Sequence, residues 1–252
     1  MRIISTIFLL FMMLPPATVF AGKVVFVKLY VDEEEATRES VWQRRLTDRI
    51  NKASEIINAY TDVRFSVIGY GHWESDDRLQ ELSRSLREFE EEVDPGNARI
   101  AIGFSSQYKF LAGRNNLGGT RGPMRSHILI RENARIRESE LLEVVVHELG
   151  HFLCAGHSSS TVSAMRPVVG DGQARANTFR VGFDPINSRI LRLIGKEMRD
   201  RRVDRFEQLS ELTLRELRPL YQQLVRKLPN DPTAQRYLRA VDILLHNRPP
   251  IQ

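Results

Sequence analysis

Residues 147 to 157 read His-Glu-Leu-Gly-His-Phe-Leu-Cys-Ala-Gly-His, and Met165 follows eight positions later. On an α-helix, His147 and His151 lie one turn apart and point the same way, so both imidazoles can reach one metal ion. A catalytic zinc ion takes three protein ligands and keeps one position open. His157 is the natural third ligand, and the stretch therefore predicts a zinc site.

The third histidine can join the other two only under one condition. The helix must stop near Cys154, and the chain must turn back through Gly156. Glu148 projects from the adjoining edge of the helix face that carries the histidines. A carboxylate in this position is the usual general base for a metal-bound water, so we expect Glu148 to be catalytic.

The residues upstream predict that this helix is buried. Ser139 is expected to cap its N-terminus, and Glu140 lies in the first turn, where a negative charge complements the helix dipole. The valines at 144–146 form helices poorly, so packing must hold them helical. An apolar stripe supplies that packing through Leu141, Leu142, Val145 and Leu149.

The pattern from His147 to Met165 resembles that of the metzincin zinc endopeptidases, His-Glu-x-x-His-x-x-Gly-x-x-His with a methionine turn downstream. The resemblance implies that the three histidines bind one catalytic Zn2+, that Glu148 activates a zinc-bound water, and that Met165 lies beneath the metal in a tight turn. The flanking residues look most like the matrixin branch. Other branches carry a tyrosine ligand two residues after the methionine; Pro167 stands there, so no fifth ligand is expected.

Two residues depart from the family pattern. Cys154 stands where the family has glycine, which leaves the helix through a positive φ that costs a residue with a Cβ on the order of 1 to 2 kcal/mol. We interpret Cys154 as a small half-buried residue tolerated at a helix end. The alternatives are a thiolate that competes with His157 for the metal and a site of oxidation or intermolecular pairing. Arg166 is interpreted as a surface difference.

The N-terminus predicts export. Arg2 precedes an apolar run over 3–14, and Val19-Phe20-Ala21 fits a cleavage site, so residues 1–21 are predicted to be a signal peptide and the protein to be secreted or periplasmic. The run is short for a membrane span, and an uncleaved anchor is the lesser alternative. The net charge of +5 is spread among acidic residues and does not indicate nucleic-acid binding. A single cysteine excludes an internal disulfide.

The pattern before the zinc helix predicts an α+β fold. Apolar, β-branched runs predict strands and helical periodicity predicts helices, in the order strand 23–31, helix 39–60, strand 63–70, helix 79–93, strand 99–104 and strand 126–131. This order fits the mixed twisted sheet that the metzincin resemblance implies for a peptidase domain over 22–199. By that resemblance, the last strand before the zinc helix lies at the sheet edge and pairs with bound peptide. His72 and His127 fit no ligand spacing and are interpreted as ordinary polar residues, with a place near the cleft as the further expectation for His127 because it begins that strand.

The loop over 105–123 is rich in Gly and Asn and is expected to be irregular. Matrixins often carry structural calcium in such loops. Residues 105–125 contain no Asp or His, which leaves only backbone and amide oxygens as ligands. Structural calcium is therefore not predicted.

Downstream of Met165, residues 168–182 are predicted to form the specificity loop below the cleft, and 186–198 a closing helix. Residues 200–252 are predicted to form a helical annex. Its first amphipathic pattern, over 200–228, should be kinked or split at Pro219, and a second helix should cover 233–246. The annex is expected to pack on the catalytic domain or to form a dimer contact, and a protein partner of this tail is the other expectation.

These features predict a secreted zinc-dependent endopeptidase that cleaves peptide or protein substrates with a water activated by Glu148. The alternative is a catalytically impaired zinc-containing protein-binding protein, in which Cys154 distorts the site and the helical tail recruits a partner. An exported peptide-binding helical module without protease activity is a third hypothesis. Glu148 favours the enzyme, because a purely structural zinc ion has no use for a base.

Overall fold

The computed structural model describes residues 22–79, 81–107, 117–132, 136–176 and 180–247. The predicted signal peptide lies outside the described residues, and so does much of the loop on which the calcium expectation rests. Within the described ranges, no helix is both long enough and apolar enough to cross a membrane.

Strands and helices of the described residues follow one another as an α+β chain, as predicted. They are β1 Lys23–Val31, α1 Glu39–Thr61, β2 Val63–His72, α2 Leu82–Glu92, β3 Ile100–Ser105, β4 Gly118–Thr120, β5 His127–Arg131, α3 Glu138–Phe152, α4 Pro185–Asp200, α5 Glu211–Lys227 and α6 Pro232–His246. Single 3-10 turns cover Gln173–Arg175 and Phe206–Gln208.

The strands form one mixed sheet in the order β2-β1-β3-β5-β4. The first four are parallel to their neighbours, and β4 runs antiparallel to β5. Side chains of β3 alternate between two hydrophobic clusters, with Ile100, Ile102 and Phe104 on one face and Ala101 on the other. Helices α1, α3 and α4 belong to the first cluster, and α2 covers the opposite face.

The expected edge strand is wrong. β5 lies inside the sheet, and the edge strand on its side is β4, in which Gly118 pairs with Ile130 and Thr120 with Ile128. Three residues that include two glycines carry no alternation of apolar side chains, so the sequence pattern did not separate β4 from its loop.

His127 lies against α2 instead of lining the cleft near which it was expected. Its ring is edge-on to Phe89 with 5.5 Å between centroids, and its Nε2 is 2.8 Å from the carbonyl oxygen of Val93. His127 was expected near the cleft because β5 was predicted to be the edge strand, and β5 is not an edge strand.

Helix α3 begins after Arg137, so the predicted cap, Ser139, lies inside its first turn. The backbone N–H of Arg137 donates to the side chain of Glu140 over 3.1 Å, and this hydrogen bond stabilises the start of the helix. The valines at 144–146 are completely buried. Burial of this kind offsets their weak helix propensity, as the sequence required.

The helices after the predicted specificity loop pack on the end of α3. Asp184 caps α4 by accepting hydrogen bonds from two backbone N–H groups. Helix α5 runs through Pro219 without a break, so of the two predicted outcomes, a kink or a split, the split does not occur. Pro219 is exposed, where water can satisfy the carbonyl that loses its helical donor. Buried residues of α5 and α6, including Tyr221 and Val241, belong to the same hydrophobic cluster as α3.

Candidate metal centre

The structure brings the three predicted ligands together. The Nε2 atom of His151 lies 3.0 Å from Nε2 of His147 and 3.2 Å from Nε2 of His157. His147 and His151 are buried on α3, and His157 is half-buried beyond the end of that helix. Among the described residues, these histidines form a group whose ligand atoms all lie within 4.8 Å of one another.

The end of α3 places the third histidine. Cys154 takes a positive φ of 69°, the conformation that the family resemblance implies for the glycine at this position. Its N–H donates to His151 O over 3.0 Å, and the N–H of Ala155 donates to Gly150 O over 2.9 Å, the pattern of a Schellman helix end. The reversal therefore occurs at Cys154 rather than at Gly156, which was expected to provide it.

Gly156 has a different role, which is to allow close packing. A Cβ at this position would lie 3.0 Å from Leu224 Cδ1 and 3.6 Å from Ala234 Cβ. Its backbone N–H and carbonyl both bond to the side chain of Asn187, at 3.0 and 2.9 Å. These contacts fix the segment that presents His157.

The hydrogen bonds of the other ring nitrogens define the tautomer of each histidine. Nδ1 of His147 faces Ala164 O at 2.7 Å, and Nδ1 of His151 faces Ala155 O at 2.9 Å. Nδ1 of His157 faces a carboxylate oxygen of Asp231 at 2.7 Å. Each partner is an acceptor, so each Nδ1 carries the proton and each Nε2 is left with a lone pair.

Three lone pairs that face one another repel unless a cation lies among them, so the arrangement fits a metal ion. Zinc–nitrogen bonds of about 2.0 to 2.1 Å in tetrahedral geometry place the nitrogen atoms about 3.3 Å apart. The observed spacings of 3.0 and 3.2 Å are close to this value. Burial lowers the pKa of His147 to about 3 and that of His151 well below its usual range, which keeps both rings in the neutral form that binds metals.

Glu148 lines the same cleft as the three histidines. Its side chain is buried, and its Oε2 has no hydrogen-bond partner among the described residues. Burial raises its pKa to about 8. A Cβ at position 118 would lie 2.7 Å from Glu148 Oε1, so Gly118 allows the edge strand β4 to approach the carboxylate.

Met165 lies fully buried against α3. A Cβ at Gly150 would be 2.6 Å from the Met165 sulfur, so the glycine makes room for the methionine beneath the helix. The carbonyl of Met165 accepts a hydrogen bond from the N–H of Ser158 over 2.8 Å. The segment of Met165 is thereby attached to the residue that follows the third histidine.

The thiol of Cys154 is not part of the group of metal-binding atoms among the described residues. Its side chain is completely buried, and burial raises the pKa of the thiol well above its usual value. The thiol is therefore neutral and shielded from solvent. The structure favours the packing interpretation of this residue over metal ligation or intermolecular pairing.

The interpretation of Arg166 as a surface difference is wrong. Its side chain is 5% exposed and forms an ion pair with Glu143 of α3, whose side chain is 0% exposed. A second ion pair joins Arg166 to Asp171 over 2.9 Å. The sequence places Glu143 one turn before His147 on a buried helix, and such a carboxylate requires a cationic partner.

The cleft around the centre has a volume of about 200 Å3 and is built from four parts of the chain. Helix α6 supplies residues that the sequence analysis did not assign to the site. No local pattern relates α6 to α3, because the two segments are far apart in sequence. Besides Glu148 and the three histidines, the residues that line the cleft are Leu117, Gly118, Gly119, Thr120, Pro167, Val168, Val169, Thr233, Arg236 and Tyr237.

A comparison of the sequence with models of known protein families gives no match, and a comparison with curated proteins gives none. Among solved structures, the chain is similar to one described as "Structure of a chaperone-substrate complex", with 12% sequence identity and a TM-score of 0.49. The similarity covers 71% of this chain and 35% of that one. A likeness at this level carries no argument about function.

Proposed function

We propose that the protein is an exported zinc-dependent endopeptidase with a metzincin-like catalytic domain, closest to the matrixin branch. One observation carries the proposal: three convergent imidazole nitrogens share a cleft with the buried carboxylate of Glu148. A structural zinc site closes its coordination with four protein ligands. Three ligands beside a carboxylate with a free oxygen are the set expected of a hydrolytic centre.

His147, His151 and His157 would hold the zinc ion, which would supply Lewis acidity to the site. Glu148 accepts a proton from the attacking water and delivers it to the amine of the leaving peptide. Oε2 of Glu148 has no hydrogen-bond partner among the described residues, so it is the atom that can take this proton.

The cleft also suits an extended peptide. One side of β4 pairs with β5, and residues of β4 line the cleft. A peptide can add to such an edge through main-chain hydrogen bonds. Leu117, Val168 and Val169 add apolar contacts for a substrate side chain.

The alternative, a catalytically impaired zinc protein with a recruiting tail, has less support. It requires Cys154 to distort the site, whereas Cys154 forms the turn beyond which His157 meets the other two histidines. It also requires a tail that is available to a partner, whereas α6 lines the candidate cleft.

The proposal is tested by loading the exported form with zinc and incubating it with a library of unstructured peptides. We expect cleavage at internal peptide bonds, loss of cleavage after chelation, and recovery when zinc is restored. The variant His151→Ala should show no recovery, and the exposed His72→Ala should behave like the wild type. Protein that holds one zinc ion per chain and cleaves no peptide would contradict the proposal and favour the alternative.

A further inference from the structure

The third histidine is held differently from the other two. Nδ1 of His147 and of His151 face backbone carbonyl oxygens. Nδ1 of His157 faces Asp231 Oδ2 at 2.7 Å, a side chain that lies 74 residues further along the chain. His157 also lies beyond the end of α3, so the helix does not restrain it as it restrains the others.

Asp231 uses its two carboxylate oxygens for two purposes. Oδ1 accepts the N–H of Thr233 over 2.9 Å, which makes Asp231 the N-cap of α6. Oδ2 accepts the hydrogen bond from His157.

The first turns of α6 contact the metal centre at two further points. Ala234 is buried and faces Gly156. A Cβ at Gly156 would lie 3.6 Å from the Cβ of Ala234. Tyr237 packs edge-on against the ring of His151, with 6.5 Å between centroids. Together with the hydrogen bond between Asp231 and His157, these contacts join the start of α6 to two of the three ligands.

We propose that Asp231 is a positioning residue for the metal ligand His157, and that zinc binding and the docking of α6 on the catalytic core are therefore coupled. A carboxylate on the distal ring nitrogen fixes the tautomer and orientation of a ligating histidine and increases its basicity. This inference rests on the metal-binding part of the proposed function and not on its peptidase part.

The coupling acts in both directions. A docked α6 presents the Asp231 carboxylate to His157 and raises the affinity of the site for zinc. By thermodynamic linkage, zinc in the site stabilises the docked position of α6 by the same factor. Helix α6, which the sequence predicted only as part of an annex, thus contributes to the metal centre.

Asp231→Ser is the decisive variant, because serine retains the helix cap and removes the carboxylate. We expect its zinc affinity, measured by competition with a chromophoric chelator, to be about 10- to 100-fold lower than that of the wild type. Asp231→Glu should recover part of the loss, since it restores a carboxylate.

Ser210→Ala is the matched control. Ser210 caps α5 by accepting the N–H of Thr213, so this variant loses a cap and contacts no ligand. Its zinc affinity should stay within about twofold of the wild type, well short of the effect of losing an outer-shell partner. Equal affinities for Asp231→Ser and wild type would overturn the inference, and so would an equal loss in Ser210→Ala.

The coupling between zinc binding and the docking of α6 can also be tested on the wild-type protein, without any substitution. Hydrogen exchange with and without zinc should show greater protection of the α6 amides when zinc is bound. Protection that rises in α3 and stays unchanged in α6, or protein that binds no zinc, would overturn the coupling. The outcome is separable from peptidase activity: coupling in a protein that cleaves nothing would refute only the proposed function, and cleavage without coupling would refute only this inference.

Discussion

Cys154 adopts a backbone conformation that glycine favours, with a φ of 69°, and its side chain is completely buried. The left-handed conformation costs a residue with a Cβ about 1 to 2 kcal/mol. Burial of the thiol stabilises this conformation, and so does the hydrogen bond from the Tyr221 hydroxyl to Cys154 O at 2.8 Å. The turn that places His157 is therefore kept by packing rather than by a glycine.

Cys154→Gly should consequently have a small effect. Relief of the backbone strain offsets the lost packing of the thiol and the greater entropy of an unfolded glycine, so we expect the free energy of unfolding to change by less than about 2 kcal/mol. Zinc affinity should not change, because the thiol is not a ligand. Chemical denaturation and a zinc competition assay check the two statements. A marked fall in zinc affinity would show that the sulfur takes part in metal binding.

At the level of the elements, Arg166 connects the segment of Met165 to α3. Its guanidinium group contacts the buried carboxylate of Glu143, and these contacts raise the pKa of Arg166 against the effect of burial. An ion pair at such depth fixes how the two segments meet. Whether it adds stability depends on the cost of removing both charges from water.

Arg166→Met should destabilise the fold by about 3 to 5 kcal/mol, because it leaves Glu143 charged and buried without its partner. The double variant Arg166→Met, Glu143→Leu should recover most of this loss, since it removes both charges. Denaturant unfolding of the two single variants and the double variant completes a thermodynamic cycle. Additive effects in that cycle would contradict the assigned ion pair.

Asp32 lies just after β1 and accepts the N–H of Ser106, just after β3, over 2.8 Å. Burial raises the pKa of Asp32 to about 6, although the backbone N–H groups of Ser106 and Gln107 donate to its carboxylate, and the neighbouring charge of Glu33 adds to the rise. Between the ordinary aspartate pKa and about 6, the folded protein holds a proton that the unfolded chain has released. Ionisation of Asp32 should therefore reduce stability as pH rises through this window.

Asp32→Asn should remove this pH dependence. We expect the variant to match the wild type near pH 4 and to be more stable by roughly 1 to 3 kcal/mol at pH 7 to 8. Unfolding measured across this range provides the test, with the exposed Asp48→Asn of α1 as the control. Parallel pH profiles for wild type and Asp32→Asn would contradict the assignment.

At the scale of the whole molecule, the sequence predicted what depends on local spacing. Helical periodicity and the motif identified α3 and its three histidines, and the family resemblance implied the positive φ at Cys154. Contacts between distant segments were missed or misjudged, because they follow from tertiary packing and leave no local pattern. Examples are the two-glycine edge strand β4, the burial of Arg166 against Glu143, and the pairing of His157 with Asp231.

Because contacts between distant segments leave no local pattern, the sequence predicted residues 200–252 only as an annex. Their amphipathic periodicity predicted helices, and the structure confirms both α5 and α6. Periodicity gives the face of a helix that is buried but not the surface that buries it. Here α5 packs on α4 and α6, and its Tyr221 bonds to Cys154 O at the end of α3, so the helices lie against the candidate metal centre.

Turnover by Glu148→Gln tests whether Glu148 acts as a base beside a zinc ion held by three histidines. Glutamine preserves the size of the side chain and removes the proton acceptor. At equal zinc content and unchanged stability, peptide cleavage by the variant should be at least about 100-fold slower than by the wild type. Equal rates of cleavage by the two proteins would contradict the account.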